Sequence, residues 1–136
     1  MIREIVDHTE LYFVPVINPD GMQYNIEGYD EENDEFTRNV RKNLRDNDLD
    51  GAFNPEKDGV DLNRNYGFNW AYDDEGSSGY EGSDNYRGPS PFSEPETKAI
   101  QYLCGQHAFQ LALNAHSYGD LLIYPWGYNN TPTQDS

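Results

Sequence analysis

The chain of 136 residues carries a formal net charge of −16, and 35% of its residues are hydrophobic. This length suits one domain with a thin core, and the negative charge argues against nucleic acid as a partner because a polyanion would be repelled. No apolar run approaches the ~20 residues that a membrane span needs, and a single cysteine, Cys104, excludes an intrachain disulfide.

The first structural signal is the apolar, β-branched run from Glu10 to Ile17. Such a run is typical of a strand that is buried on both faces of a mostly parallel sheet, and Pro15 is tolerated near a strand end or a bulge. The sequence Asn18-Pro19-Asp20-Gly21 follows. It predicts a turn because proline fixes φ and glycine permits a positive φ.

A polar stretch without periodicity runs from Gln23 to Gly59 and predicts a long loop. Basic residues are rare in this chain, yet this stretch groups several of them, namely Arg38, Arg41, Lys42 and Arg45. A solvated face would scatter its charges, so the grouping indicates an anion site.

The same stretch carries carboxylates at alternate positions, Asp46, Asp48 and Asp50, followed by a glycine. This pattern is the opening half of a calcium-binding loop. The twelfth position is Lys57, where an EF-hand has glutamate, and this difference argues against an EF-hand. Two interpretations remain: a calcium site of another kind, or a solvated acidic loop.

The segment from Gly59 to Tyr66 places an acid, an amide and a guanidinium within four positions, as Asp61, Asn63 and Arg64. A guanidinium binds a carboxylate through two charge-assisted hydrogen bonds, and an amide can add a third. The segment is therefore either a surface turn with a solvated arginine or, together with Arg41, part of a carboxylate-binding site.

A loop and a helix come next. Residues Tyr72 to Asn85 are rich in Asp, Gly and Ser and predict a mobile surface loop. The sequence Ser93-Glu94-Pro95-Glu96 has the pattern of a capping box with Ser93 as the N-cap. We expect the helix to run to Cys104 and to stop at Gly105. Its predicted buried face comprises Ala99, Ile100, Leu103 and Cys104.

Alternation of apolar and polar residues from Phe109 to His116 predicts a second strand, and Leu121 to Tyr124 form another apolar run. His116 would lie at the carboxyl end of its strand, where open α/β sheets bind ligands. A histidine there is either a hydrogen-bonded structural residue or a metal ligand. No pair of His or Cys has metal-binding spacing, so this chain cannot complete a zinc site.

Five motifs occur in one order along the chain: Asn18-Pro19-Asp20-Gly21; Arg38-x-x-Arg41-Lys42-x-x-Arg45; Gly59-Val60-Asp61-Leu62-Asn63-Arg64-Asn65; Tyr86-x-Gly88 with Ser93-Glu94-Pro95-Glu96-Thr97; and His116-Ser117-Tyr118 followed by Leu122-Ile123-Tyr124-Pro125-Trp126-Gly127-Tyr128. In order and spacing they closely resemble the zinc carboxypeptidases of the carboxypeptidase A type. The resemblance covers about Tyr12 to Tyr128.

The resemblance implies an α/β fold, with part of a mixed, mostly parallel sheet flanked by helices. This is a carboxypeptidase-like sandwich of the phosphorylase/hydrolase type, here truncated. Residues 1–136 would form a single incomplete segment of a catalytic domain, with residues 10–128 covered by the resemblance. The family's size implies a complete domain roughly twice this length or more.

The resemblance also implies roles for individual residues. Asn63 and Arg64 match the pair that grips the C-terminal carboxylate of a peptide. Arg41 matches the guanidinium that polarises the scissile carbonyl and holds the developing oxyanion. Asp61 matches a carboxylate that orients a zinc-ligating histidine from behind.

Three further positions take their roles from the same resemblance. His116 matches the third zinc ligand, Tyr118 lines the substrate groove, and Arg38 is a more peripheral substrate contact. The first two zinc ligands and the glutamate base of the family have no counterpart in this chain. The isolated chain is therefore expected to be inactive.

The expected function is zinc-dependent hydrolysis of C-terminal residues, with peptide or protein C-termini as partners and a secreted or periplasmic location. The alternative is a non-catalytic, carboxypeptidase-like module that binds peptide carboxylates or calcium. Neither nucleic acid nor a membrane is an expected partner, and the sequence indicates no oligomeric state.

Overall fold

A computed structural model describes residues 2–117, 119–124 and 126–128. The elements, in chain order, are helix α1 (Ile2–His8), helix α2 (Pro19–Glu27), strands β1 (Tyr29–Asp30) and β2 (Glu35–Phe36), a 3₁₀ helix (Leu62–Arg64) and helix α3 (Pro95–Gln106). None of the described helices is both long and apolar enough to cross a membrane.

Helix α2 replaces the turn that Asn18-Pro19-Asp20-Gly21 predicts. Asn18 is its N-cap, and the Oδ1 atom of Asn18 accepts a hydrogen bond of 3.0 Å from the backbone N–H of Gly21. Pro19 occupies the first helical position, where its fixed φ suits a helix and a missing N–H costs nothing. The turn prediction was wrong because the same residue types also begin helices.

A short hairpin follows helix α2. Strands β1 and β2 are antiparallel, with Tyr29 opposite Phe36 and Asp30 opposite Glu35. The aromatic rings of Tyr29 and Phe36 lie 5.0 Å apart. The prediction of one long loop over residues 23–59 was therefore wrong in its first part, because strands of two residues are too short to show alternation.

The turn of this hairpin makes a pH-dependent contact. Asp30 accepts hydrogen bonds from Asn33 Nδ2 at 2.9 Å and from the backbone N–H of Glu32 at 2.9 Å. These hydrogen bonds lower the pKa of Asp30, and the bond from the Asn33 side chain has the largest effect. Because the pKa of Asp30 is lower in the folded state, these bonds stabilise the turn at pH values above the unfolded-state pKa of about 3.9. This stabilisation is lost as the pH falls through the folded-state pKa.

We therefore expect Asn33→Ala to raise the pKa of Asp30 toward its ordinary value, because the largest of the bonds to its charged form is removed. Carboxyl-carbon NMR titration measures this pKa directly. Glu31→Ala, in the same turn, is the matched control and should leave the pKa of Asp30 unchanged.

Two predicted strands do not form within the described residues. Residues 10–17 and 109–116 contain no strand, and their large apolar side chains are exposed, with Phe13 at 81%. The two segments approach each other where Tyr12 Oη lies 3.1 Å from His107 Nδ1 and the Tyr12 ring meets Phe109 edge-on at 5.3 Å. A strand needs a hydrogen-bonded neighbour, and the only sheet within the described residues is the pair β1–β2. The predicted mostly parallel sheet is therefore absent from this part of the chain.

Helix α3 begins at Pro95 with Glu94 as its N-cap and ends at Gln106. The predicted cap was wrong by one residue: the Ser93 hydroxyl donates to Glu94 Oε1 at 2.5 Å and accepts from Asn65 Nδ2 at 2.9 Å. These partners replace the local capping bond. Gly105 does not stop the helix, since it lacks the left-handed conformation of a C-terminal glycine cap.

The buried face of α3 also differs from the prediction. Thr97 is fully buried, Ile100 and Leu103 are half-buried, and Ala99 and Cys104 are exposed. The helix therefore packs through its first turn, and the apolar positions further along contribute less than their spacing predicts.

The core is small and mainly polar. Among the described residues, its buried hydrophobic side chains are Val60, Leu62 and Tyr86. More of the buried side chains are polar or charged, namely Lys42, Asn43, Asp58, Asp61, Asn65, Glu94 and Thr97. Buried polar groups stabilise a fold only when they are hydrogen-bonded, so the arrangement of this network determines the positions of the surrounding loops.

Candidate functional site

The 3₁₀ helix Leu62–Arg64 presents the amide and guanidinium that the sequence singles out. Asp61 is its N-cap, and the Oδ1 atom of Asp61 accepts a hydrogen bond of 3.0 Å from the backbone N–H of Asn63. The backbone N–H of Asp61 donates to Tyr86 O at 2.8 Å, which fixes the start of this helix. Asn63 is exposed and Arg64 is half-buried.

The loop that carries Arg41 is joined to the 3₁₀ helix by an ion pair. Arg41 Nε donates to Asp61 Oδ2 at 2.9 Å, and Arg41 Nη2 donates to Asp61 Oδ1 at 3.3 Å. The Asp61 side chain is 3% exposed, whereas that of Arg41 is 53% exposed. Two parallel charge-assisted bonds fix the plane of a guanidinium as well as its position. Arg41 is therefore held against the residue that caps the 3₁₀ helix, while its side chain remains open to solvent.

The second arginine of the site is fixed by backbone carbonyls. Arg64 Nε donates to Gly76 O at 2.5 Å, and Arg64 Nη1 donates to Asn63 O at 3.1 Å. These bonds use two of the five N–H donors that a guanidinium carries. Donors on the same guanidinium beyond these two have the geometry to bind a carboxylate.

A close backbone approach brings these elements together. Gly59 has φ +83°, and a Cβ there would lie 2.4 Å from Asn43 O. The backbones of Asn43 and Val60 are joined by a 3.0 Å hydrogen bond, and Val60 N–H also donates to Asn43 Oδ1 at 2.8 Å. Only glycine combines this positive φ with this contact, so Gly59 allows the Arg41 loop to reach Asp61.

Lys42 provides a buried positive charge behind the site. Its Nζ donates to Glu81 O at 3.2 Å. Burial lowers the pKa of Lys42, and the carboxylates of Asp84, Asp58 and Asp61 act in the opposite direction.

Glu94 connects the Arg41 loop to helix α3 and was not identified as a network residue from the sequence. Its carboxylate accepts from Asn43 Nδ2 at 2.8 Å and from Arg45 Nη1 at 2.9 Å. Only its position as the residue after a predicted N-cap was visible in the sequence.

Asn65 is a second network residue that the local pattern does not reveal. Its side-chain amide bonds Arg87 O, Ser90 O, Ser93 Oγ, Glu94 N and Thr97 Oγ1, at 2.9, 3.0, 2.9, 3.3 and 2.7 Å respectively. It follows Arg64 directly, so these bonds fix the end of the 3₁₀ helix.

Several predicted site residues do not join this cluster. The guanidinium of Arg38 lies 4.4 Å from the centre of the Tyr24 ring and 3.7 Å from Glu27. His116 is exposed, and Tyr118 lies outside the described residues. The structure therefore joins Arg41 to Asp61, at the start of the 3₁₀ helix that carries Asn63 and Arg64.

The described residues do not fit a zinc site. Zinc in proteins takes three or four N, S or O ligands. The single convergent group of potential ligands in the described ranges is that of Asp46, Asp48 and Asp50, and it does not include His116. Asp61 binds Arg41 and the 3₁₀ helix, and its role toward a zinc-ligating histidine stays a prediction.

The acidic loop brings three carboxylates together. One oxygen from each of Asp46, Asp48 and Asp50 lies within 4.8 Å of the others. Asp46 Oδ2 accepts from Gly51 N–H at 2.8 Å, Asp48 lies 3.5 Å from Lys57 Nζ, and Asp46 Oδ1 is buried with no hydrogen-bond partner among the described residues. Exposed acidic groups commonly converge without a metal, so this geometry does not support a calcium site, one of the two interpretations that the sequence left open.

The whole chain, residues 1–136, matches the family model of the zinc carboxypeptidases. The chain belongs to this family. Among its relatives, carboxypeptidase B of Helicoverpa zea is 32% identical over 98% of the chain, and carboxypeptidase B of Astacus astacus is 34% identical over 97%. The crystal structure of the carboxypeptidase A from Helicoverpa armigera is 33% identical over 76% of the chain, with a TM-score of 0.50.

These zinc carboxypeptidases are much longer than the chain. It spans 29% of the Helicoverpa zea protein, 40% of the Astacus astacus protein and 24% of the Helicoverpa armigera structure. The structural match is consistent with a carboxypeptidase fold. The likeness therefore concerns one section of the family's fold, and the site described above lies in that section.

Proposed function

We propose that this chain is the carboxylate-recognising segment of a zinc metallocarboxypeptidase, which removes C-terminal residues from peptides. The observation that supports the proposal is the two-bond ion pair between Arg41 and Asp61, next to the 3₁₀ helix that carries Asn63 and Arg64. Arg41 is thus bound to the residue that caps the helix carrying Asn63 and Arg64, in a chain of net charge −16.

Each residue has a distinct role in this proposal. Arg64 binds the C-terminal carboxylate of the peptide, and Asn63 adds a hydrogen bond from its amide. Arg41 holds the negative charge that develops on the carbonyl oxygen, and the loss of one such donor typically slows a reaction about 10²-fold or more. Asp61 positions Arg41 and caps the helix that presents the other two residues.

Further positions in the proposal rest on family likeness. His116 would contribute one zinc ligand, with Tyr118 and Arg38 at the edge of the peptide groove. The chain would be one segment of a catalytic domain in a secreted or periplasmic protein that acts on peptide or protein C-termini.

Carboxylate recognition can be tested with a peptide and its amide. We expect the full chain to bind N-acetyl-glycyl-leucine more tightly than N-acetyl-glycyl-leucinamide in an NMR titration. Arg64→Ala should weaken binding of the acid about 10- to 100-fold, because hydrogen bonds to charged groups contribute about 1.5–3 kcal/mol. Arg3→Ala, which removes a highly exposed arginine of helix α1, is the charge-matched control and should change neither affinity.

Hydrolysis is a separate expectation. With a single zinc ligand available by family likeness, the 136-residue chain should release no C-terminal residue from the same peptide in the presence of zinc. Zinc-dependent release, detected by mass spectrometry, would contradict this expectation while leaving the carboxylate site standing.

A further inference from the structure

The loop from Asp73 to Ser77 is wrapped around a single side chain, that of Arg87. Arg87 Nη1 lies within hydrogen-bond distance of Asp74 Oδ1 at 2.7 Å, Ser77 Oγ at 3.1 Å and Asp73 O at 3.2 Å. The Arg87 side chain is 13% exposed, whereas that of Asp74 is 80% exposed. The largely buried guanidinium is thus the common partner of the loop residues, and the exposed Asp74 carboxylate is one of them.

Backbone contacts and an aromatic ring hold Arg87 itself in place. Its N–H donates to Ser78 O at 3.0 Å, and Ser78 N–H donates to Asn85 O at 3.0 Å. Its guanidinium lies 5.6 Å from the centre of the Trp70 ring, and Trp70 Nε1 donates to Arg87 O at 3.0 Å. Arg87 is therefore a fixed point against which the loop is held.

Gly76 lies between the loop residues that contact Arg87, and its carbonyl accepts the hydrogen bond from Arg64 Nε. Gly76 has φ +77°, and a Cβ there would meet no atom within 4 Å, so the residue is chosen for its backbone conformation and not for space. The contacts on both sides of Gly76 determine where this carbonyl lies, and the carbonyl in turn orients the guanidinium of Arg64.

We propose that Arg87 is a positioning residue for carboxylate binding: through Asp74 and Ser77 it holds the Gly76 carbonyl that orients Arg64. This inference rests on the proposed function, in which Arg64 binds the peptide carboxylate. A guanidinium that is fixed in advance loses less conformational entropy when it binds its ligand. The loop therefore contributes to selectivity for a carboxylate without touching the peptide.

The test compares Asp74→Asn with Glu75→Gln in the full chain. Both variants remove one negative charge from the same loop, but only Asp74 contacts Arg87, and the Glu75 side chain makes no hydrogen bond or ion pair within the described residues. The quantity measured is the ratio of the dissociation constant of N-acetyl-glycyl-leucinamide to that of N-acetyl-glycyl-leucine. We expect this ratio to fall about 3-fold in Asp74→Asn and to stay unchanged in Glu75→Gln.

Two substitutions of Arg87 extend the test. Arg87→Gln should lower the ratio about 10-fold, and Arg87→Lys, which keeps the charge but not the planar group, should restore it only in part. A purely structural role would weaken the acid and the amide equally and leave the ratio constant. Circular dichroism shows whether Arg87→Gln unfolds the chain. If it does, the comparison of Asp74→Asn with Glu75→Gln still tests the proposal, because Asp74 is exposed.

A second readout does not depend on any peptide. Exchange of the Arg64 Nε proton with water should be faster in Asp74→Asn than in the wild type or Glu75→Gln, because its bond to the Gly76 carbonyl is loosened. An unchanged ratio together with unchanged exchange in Asp74→Asn would overturn the role of Arg87. A wild-type ratio of about one, unaffected by Arg64→Ala, would instead show that the proposed function has failed, and the inference would fall with it.

Discussion

Replacing Glu94 by alanine is expected to destabilise the protein by about 3 kcal/mol or more, since removing one partner of a buried ion pair typically costs about 3–5 kcal/mol. Glu94 is 2% exposed and accepts hydrogen bonds from Asn43, Arg45 and Ser93. In the variant, the Asn43 amide loses its short bond inside the core, and Arg45 loses its only ion pair among the described residues. The value lies toward the lower end of the range because Arg45 is partly exposed.

Chemical denaturation followed by circular dichroism measures this change. Glu56→Ala is the matched control, because Glu56 is exposed and its side chain has no hydrogen-bond partner in the described part of the chain. Such a surface change should stay within about 0.5 kcal/mol of the wild type. Equal stability of the two variants would show that the Glu94 network does not hold the Arg41 loop to helix α3.

Replacing Asn65 by alanine is expected to have an effect of similar size, roughly 3 kcal/mol, because each buried partner left without a hydrogen bond costs about 1–3 kcal/mol. Asn65 has no exposed surface and bonds five groups of the segment from Arg87 to Thr97. Asn65→Asp is the informative second variant. It keeps the acceptor for Thr97 but directs a carboxylate at the carbonyl oxygens of Arg87 and Ser90, so it should not restore stability.

Asn63 lies two positions before Asn65, and its replacement is expected to leave stability unchanged. It is exposed, and its side chain makes no hydrogen bond to the described residues. Asn63→Ala should leave the free energy of unfolding within about 0.5 kcal/mol of the wild type while weakening the binding of a peptide carboxylate. If Asn63→Ala unfolded the chain and Asn65→Ala did not, the assignment of one asparagine to binding and the other to packing would be reversed.

The sequence was sufficient for the family, whereas the composition of the carboxylate site stays a prediction. The prediction that Arg41 and the Asp61–Arg64 segment form one anion site depended on local chemistry, since rare guanidinium groups and an amide clustered in an acidic chain. Such groups can be recognised without knowledge of the fold. The finding that Asp61 pairs with Arg41 needed the structure, because the two residues are 20 positions apart.

The start of helix α3 shows why other features could not be predicted. The capping-box rule assigns Ser93 and Glu96 to each other because it considers four consecutive residues. In the structure, Ser93 accepts from Asn65, 28 positions away, and Asn43 donates to Glu94, 51 positions away. Tertiary hydrogen bonds replaced the local capping bond, and no periodic pattern in the sequence predicts such long-range bonds.

The predicted strands failed for a different reason. Apolar runs such as residues 10–17 report that a segment can be buried in a sheet, but a strand also needs neighbours for its backbone groups. Within the described residues, β1 and β2 pair only with each other. The apolar runs therefore have the composition of buried strands but no neighbouring strand to pair with.

Chemical-shift mapping of the arginine and asparagine side chains tests the central claim most directly. When N-acetyl-glycyl-leucine is added to ¹⁵N-labelled chain, the Arg64 Nε and Asn63 Nδ2 signals should shift together with one dissociation constant. N-acetyl-glycyl-leucinamide should leave both signals in place, because it lacks the carboxylate that the site binds. Equal shifts with the amide, or shifts confined to arginines outside the cluster of Arg41, Asp61, Asn63 and Arg64, would contradict the assignment of this cluster to peptide C-termini.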